Sequence, residues 1–101
     1  MHLKSAYFEW ATPEAARTQL RAHIAHYEGE LAQWEEQIQQ IDSGTSPALN
    51  RRLTVTSEED TQRTIAFKRY AYEGLVQRAE QEISWARDGL RLIDDLEGDT
   101  P

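Results

Sequence analysis

The chain has 101 residues, 18 acidic and 11 basic, for a formal net charge of −7 and a pI near 4.9, and it contains no cysteine. Its length is that of one domain, its acidity opposes nucleic-acid binding by this chain alone, and the absent thiols remove disulfides, thiolate metal sites and cysteine nucleophiles together. No apolar run approaches the roughly 20 residues of a bilayer span, and MHLKSAYFEW is too short and too polar for a signal peptide, so no membrane partner and a cytoplasmic location are expected.

Residues 3–10 gather Leu3, Tyr7, Phe8 and Trp10 at helical spacing, and a short helical arm is expected there. Thr12-Pro13-Glu14 reads as a helix start: the threonine side chain can accept from free amides, proline suits the first helical position, and glutamate favours the positive end of the dipole. The first long helix is expected over about 13–41. Within it Leu20, Ile24, Tyr27, Leu31, Trp34, Ile38 and Ile41 recur at alternating steps of four and three, which lays them on one narrow seam. A strand would need steps of two.

Asp42-Ser43-Gly44-Thr45-Ser46-Pro47 closes this helix, because glycine reaches the left-handed conformation of a C-cap and proline prevents resumption. A loop is expected over about 43–56, with Leu53 and Val55 its only extended hint. Connections of this length are uncommon unless they dock on something. Arg51 and Arg52 could touch a phosphate or an acidic partner, although a solvated loop tip is the simpler reading. Thr56-x-x-Glu59 and Ser57-x-x-Asp60 are overlapping capping boxes, so the second long helix should begin near Glu58 and run to about 97. Its seam is Tyr72, Val76, Ala79, Ile83, Ala86, Leu90 and Ile93. A single domain over 1–101 follows.

Gly29, Gly74 and Gly89 fall inside the expected helices, where each costs about 1 kcal/mol relative to alanine. Close approach of another helix would justify that cost; tolerated surface glycine is the competing reading. The first helix is basic early (Arg17, Arg21) and acidic late (Glu28, Glu30, Glu35, Glu36). The second is basic early (Arg63, Lys68, Arg69) and acidic late (Asp94, Asp95, Glu97). Antiparallel alignment brings opposite signs together at both ends, and exposed pairs worth about 0–1 kcal/mol each select an alignment more than they hold a fold.

Phe67, Ala71 and Leu75, with Tyr70 nearby, form a second stripe offset from the seam. Burying a Phe or Leu contributes about 1.5–3 kcal/mol, which a lone hairpin would forgo here. The second helix is therefore expected to pack on two partners at once. The fold class is all-α: an antiparallel helical hairpin with a short N-terminal helical arm, assembling into a dimeric helical bundle. Core and dimer-interface positions are Leu20, Ile24, Tyr27, Leu31, Trp34 and Ile38 on the first helix, and Phe67, Ala71, Tyr72, Leu75, Val76, Ile83, Trp85, Leu90 and Ile93 on the second.

Chemical signals are sparse. His23, His26 and Glu30 share one helical face, but zinc normally takes three or four protein ligands and neither cysteine nor a second histidine cluster completes a set. A di-iron bundle would use Glu-x-x-His, a triplet absent from this sequence. Phosphate-binding glycine loops and a nucleophile elbow are absent as well. No catalytic residue, metal or cofactor is assigned, and the chain is not read as an enzyme. Tyr27, Trp34 and Tyr72 lie on the seams and are bundle core by default. Their polar tips need partners when buried, and a cavity lined by them could hold a planar aromatic ligand, which makes these three the candidate ligand contacts.

Three segments taken together, LKSAYFEWATPEAARTQL, HIAHYEGELAQWEEQIQQI and YAYEGLVQRAEQEISWARDGLRLIDDLE, resemble the C-terminal α-helical domain of PadR-family transcriptional regulators. The resemblance rests on Leu3, Lys4 and Phe8 in the arm, on Leu20, Tyr27 and Leu31 in the first helix, and on Trp85, Leu90 and Ile93 in the second. It implies a homodimerisation domain that can also sense a small aromatic effector. It further implies that DNA is reached only through an N-terminal winged helix-turn-helix, which this sequence lacks. Such a chain would be an excised domain or a stand-alone homologue that modulates full-length regulators. Small secreted hairpins of the Trp-x-Gly type place that motif in the inter-helix turn, where this chain has no tryptophan. A coiled-coil or helical-hairpin adaptor mediating protein association is the alternative.

Overall fold

The structure, a computed structural model, describes residues 12–46 and 57–98. The expected arm over 3–10 and the loop positions Arg51, Arg52, Leu53 and Val55 lie outside the described residues. Among the described residues the fold is two helices, α1 over Pro13–Ser43 and α2 over Glu58–Gly98.

Side-chain and backbone caps set these limits. Thr12 is extended, its hydroxyl oxygen accepts from the Ala15 N–H at 3.1 Å, and its carbonyl accepts from the Ala16 N–H at 2.9 Å. At the far end Gly44 takes a φ of 75°, its N–H donates to the Ile41 carbonyl at 3.2 Å, and the Thr45 N–H donates to the Gln40 carbonyl at 2.8 Å. That is a Schellman closure, and it carries α1 two residues beyond Ile41. Ser57 starts α2: its hydroxyl oxygen accepts from the Asp60 N–H at 3.3 Å and its carbonyl from the Thr61 N–H at 2.7 Å. Of the two overlapping caps, the serine is thus engaged, while Thr56 lies outside the described residues.

The helices run antiparallel, as their cross-pairs require. Arg17 near the start of α1 donates to Asp94 at 3.1 Å and to Glu97 at 3.2 Å near the end of α2. His23 Nε2 lies 2.7 Å from Glu82. At the turn end Arg69 grips Asp42 with two parallel bonds of 2.9 and 3.1 Å. The charge pattern therefore acts at both ends, although the acidic partner at the turn is Asp42 rather than Glu35 or Glu36. Arg63 pairs within its own helix with Glu59 and Asp60, and Lys68 lies 5.3 Å over the Tyr72 ring.

Between the helices Ala16, Leu20, Ile41, Ala79, Ile83 and Ala86 are buried. The other seam residues, Ile24, Tyr27, Leu31, Trp34, Ile38, Tyr72, Val76, Leu90 and Ile93, are half-buried, because two helices cover each other along one side only. Gly89 marks a close approach: a Cβ there would lie 3.0 Å from Leu20 Cδ1 and 3.3 Å from Cδ2. A Cβ at Gly29 or Gly74 would meet nothing within 4 Å, so those two are not crossing points between the two described helices. The molecule is a rod of 68 × 24 × 16 Å with a radius of gyration of 19.7 Å, against about 13 Å for a compact domain of this length. Among the described residues no helix is long and apolar enough to cross a membrane.

Candidate association surface

A helix turns about 100° per residue, so residues separated by whole turns project on one line. Phe67 and Trp85 are eighteen residues apart, about five turns; Leu92 and Leu96 follow at about seven and eight turns from Phe67. Tyr70, Ala71, Gly74 and Gly89 flank this line. The face lies about 120° around α2 from the seam that meets α1. Phe67 is 68% exposed, Tyr70 75%, Trp85 43%, Leu92 58% and Leu96 63%. These are the exposed large apolar side chains among the described residues, and all five belong to α2.

Of the expected second stripe, Phe67 and Ala71 are exposed and Leu75 is half-buried. Each step of four overshoots a turn by about 40°, so the run from exposed Phe67 and Ala71 drifts toward α1 and leaves Leu75 half-buried at the hairpin edge. The exposed face continues instead through Trp85, Leu92 and Leu96. Leu92 and Leu96 escaped the sequence reading because the four-and-three path that joins them to Phe67 passes through polar Arg78 and Gln81 and so reads as broken. Whole-turn spacing would have found them.

Two grooves lie along this face. One of about 340 Å³ is lined by Arg63, Thr64, Phe67, Lys68 and Ala71. The other, about 310 Å³, opens between the helices and is lined by Ala16, Leu20, Trp85, Gly89, Leu92, Ile93 and Leu96. Trp85 leans on His23 across the seam, with ring centres 5.5 Å apart and nearly perpendicular planes. His23 in turn packs on Tyr27 at 4.8 Å.

The three candidate ligand contacts do not gather at one place. Trp34 and Tyr72 stack on each other across the seam at 5.6 Å and an interplanar angle of 26°. Tyr27 sits two turns away between His23 and His26. None of the three lines either groove. The indole N–H of Trp34 is buried and finds no acceptor among the described residues. Of the histidine cluster, His26 lies 3.4 Å from Glu30 on an exposed surface, whereas His23 turns away to Glu82. Among the described residues no group of three His, Cys, Asp or Glu is placed to hold a metal ion.

Electrostatics concentrates at the ends of the rod. Hydrogen bonding from Arg69 holds the Asp42 carboxyl below its usual value, and the same bond raises the Arg69 guanidinium. The hydrogen bond to Glu97 raises Arg17 most; burial opposes it, and the hydrogen bond to Asp94 adds a smaller rise. In the middle of the exposed face Arg78 makes no ion pair among the described residues. What this arrangement can do chemically is bury apolar surface against a partner in a register set by a few charges.

No protein-family model matches the chain, and no characterised protein is significantly similar to it.

Proposed function

We propose that this chain is the dimerisation domain of a PadR-like transcriptional regulator, a rod that couples two DNA-reading heads without touching DNA itself. The observation that carries the reading is the second apolar face of α2, which extends over about eight turns from Phe67 to Leu96 with its large side chains exposed. Surface area supports it. The chain exposes 7550 Å², against about 5,900 Å² for a compact monomer of 11.7 kDa, and the excess is larger than the roughly 800 Å² per partner of a standard interface. The winged helix that binds DNA belongs, on this reading, to another segment or chain.

Coupling has more support than effector sensing. The stack of Trp34 on Tyr72 fills the place where a planar ligand would be held, so phenolic acids are expected to leave the tryptophan fluorescence unchanged. A saturable response would restore the sensing role that the resemblance implies.

Sedimentation equilibrium at micromolar concentration tests the dimer directly: a mass twice 11.7 kDa is expected. The double variant Phe67→Asp, Leu92→Asp should be monomeric with its helical circular dichroism retained. Fusing the chain to a winged-helix head that lacks its own dimer contacts should restore binding to a two-half-site operator. A monomeric wild type, or a fusion that binds no better than the isolated head, refutes the proposal.

A further inference from the structure

We infer that the exposed face of α2 packs against the same face of a second copy, antiparallel, about a two-fold axis that crosses α2 near residue 80. This rests on the dimerisation reading and specifies its geometry.

Gly74 supplies the first argument. It lies on the exposed face, a Cβ there would meet nothing within 4 Å, and glycine weakens a helix interior. Nothing inside the hairpin therefore calls for a glycine at this position. Eleven residues on, about three turns, the Trp85 ring stands 43% exposed on the same line. In an antiparallel pair centred near residue 80, Gly74 faces the partner's Trp85 and leaves a floor on which the indole can lie. Phe67 meets the partner's Leu92 in the same register. Ala71 falls opposite the partner's Gly89, so two small residues let the backbones approach.

The charges point to the same midpoint. A two-fold axis perpendicular to the helices keeps each edge of the face against the same edge of the copy. On one edge Arg63 then falls opposite the partner's Asp95, and the Tyr70 hydroxyl opposite the partner's Asp88. On the other edge Arg78 falls opposite the partner's Glu82, the carboxylate that His23 contacts at 2.7 Å. A parallel pair would instead set Arg78 against Arg78 and Trp85 against Trp85 along the midline of the face. Like charges directly opposed suppress that alternative.

The chain has no cysteine, so single cysteines can be placed and spin-labelled without background. Gln81→Cys lies near the proposed axis, and its two labels should stand within about 20 Å of each other, given helices packed 8–10 Å apart. Arg63→Cys lies seventeen residues from the axis, and its labels should be about 50 Å apart from the helical rise alone. Short distances at both sites would mean a parallel pair, and long distances at both would mean another face; either overturns this inference and leaves dimerisation standing. A monomer by sedimentation overturns both. Gly74→Gln should weaken the dimer at least about tenfold, while Gly29→Gln, at an equally open position off this face, leaves it unchanged. Equal dimer affinities for the two variants would overturn the seating of Trp85.

Discussion

Gly89→Ala separates helix propensity from helix packing. Inside an open helix this substitution gains about 1 kcal/mol. At position 89 the added methyl would lie 3.0 Å from Leu20 Cδ1 and 3.3 Å from Cδ2, inside the 3.5–4.0 Å optimum for carbon pairs. Leu20 is 3% exposed, so it can yield only by leaving its rotamer, at about 0.5–1.5 kcal/mol, or by parting the helices, at about 1–3 kcal/mol. The groove beside Leu20 gives it one direction of retreat, which sets the lower limit. The net expectation runs from a gain of about 0.5 to a loss of about 2 kcal/mol, whereas Gly29→Ala, with nothing within 4 Å, should gain the full value of about 1 kcal/mol. Urea unfolding followed by circular dichroism, in the Phe67→Asp, Leu92→Asp background to remove association, measures both. Adding Leu20→Ala should return the alanine gain at position 89, a coupling of about 0.5–3 kcal/mol. Equal stabilisation by Gly89→Ala and Gly29→Ala would show that Leu20 does not press on Gly89 and that the alignment of α1 on α2 is wrong.

Trp34→Phe keeps an aromatic ring on Tyr72 and removes a buried N–H that has no acceptor, so stability should change by less than about 1 kcal/mol; Trp34→Ala should cost about 2–3 kcal/mol by chemical denaturation, less than a fully buried tryptophan. Gly44→Ala forces a side chain into φ 75° and should cost about 1–2 kcal/mol, read as a lower urea midpoint. The Asp42 carboxyl is held low by the hydrogen bond from Arg69. Its contribution is therefore present above the unfolded value near pH 4 and is lost as pH falls through the lower folded value. Thermal melts between pH 6 and 2 should show an acid-side destabilisation that Asp42→Asn lacks.

The two long helices were legible because their signals are redundant. Seven positions on each seam repeat at four and three, and caps at Thr12, Gly44 and Ser57 close the ends with local chemistry that sequence displays. The glycines were not legible. Gly29, Gly74 and Gly89 read alike in sequence, and only the side chain standing opposite, Leu20 at Gly89, distinguishes them. Tyr27, Trp34 and Tyr72 could not be grouped for a similar reason. Antiparallel alignment brings Trp34 to Tyr72 and leaves Tyr27 with the histidines, and that alignment is set by pairs such as Arg69 with Asp42 that lie far apart along the chain. The second face was half legible, because polar Arg78, Gln81 and Glu82 interrupt its apolar run.

The allocation of side-chain size along α2 argues most strongly for a partner. Three of the six buried apolar residues are alanines, Ala16, Ala79 and Ala86, which draw the helices together but remove little apolar area from water. Phe67, Trp85, Leu92 and Leu96 stand instead on the outer face, more than two-fifths exposed. A self-sufficient hairpin would place these large side chains between its helices and make the outer face polar. With the reverse allocation, hairpin stability and association are linked, since a partner that binds the folded state draws the equilibrium toward it. The melting temperature of the wild-type chain should accordingly rise with protein concentration, while that of the Phe67→Asp, Leu92→Asp variant should be lower and independent of concentration. A wild-type melt that is the same across a hundredfold range of concentration would mean that the outer face contributes nothing to folding, and the argument from side-chain size would fail.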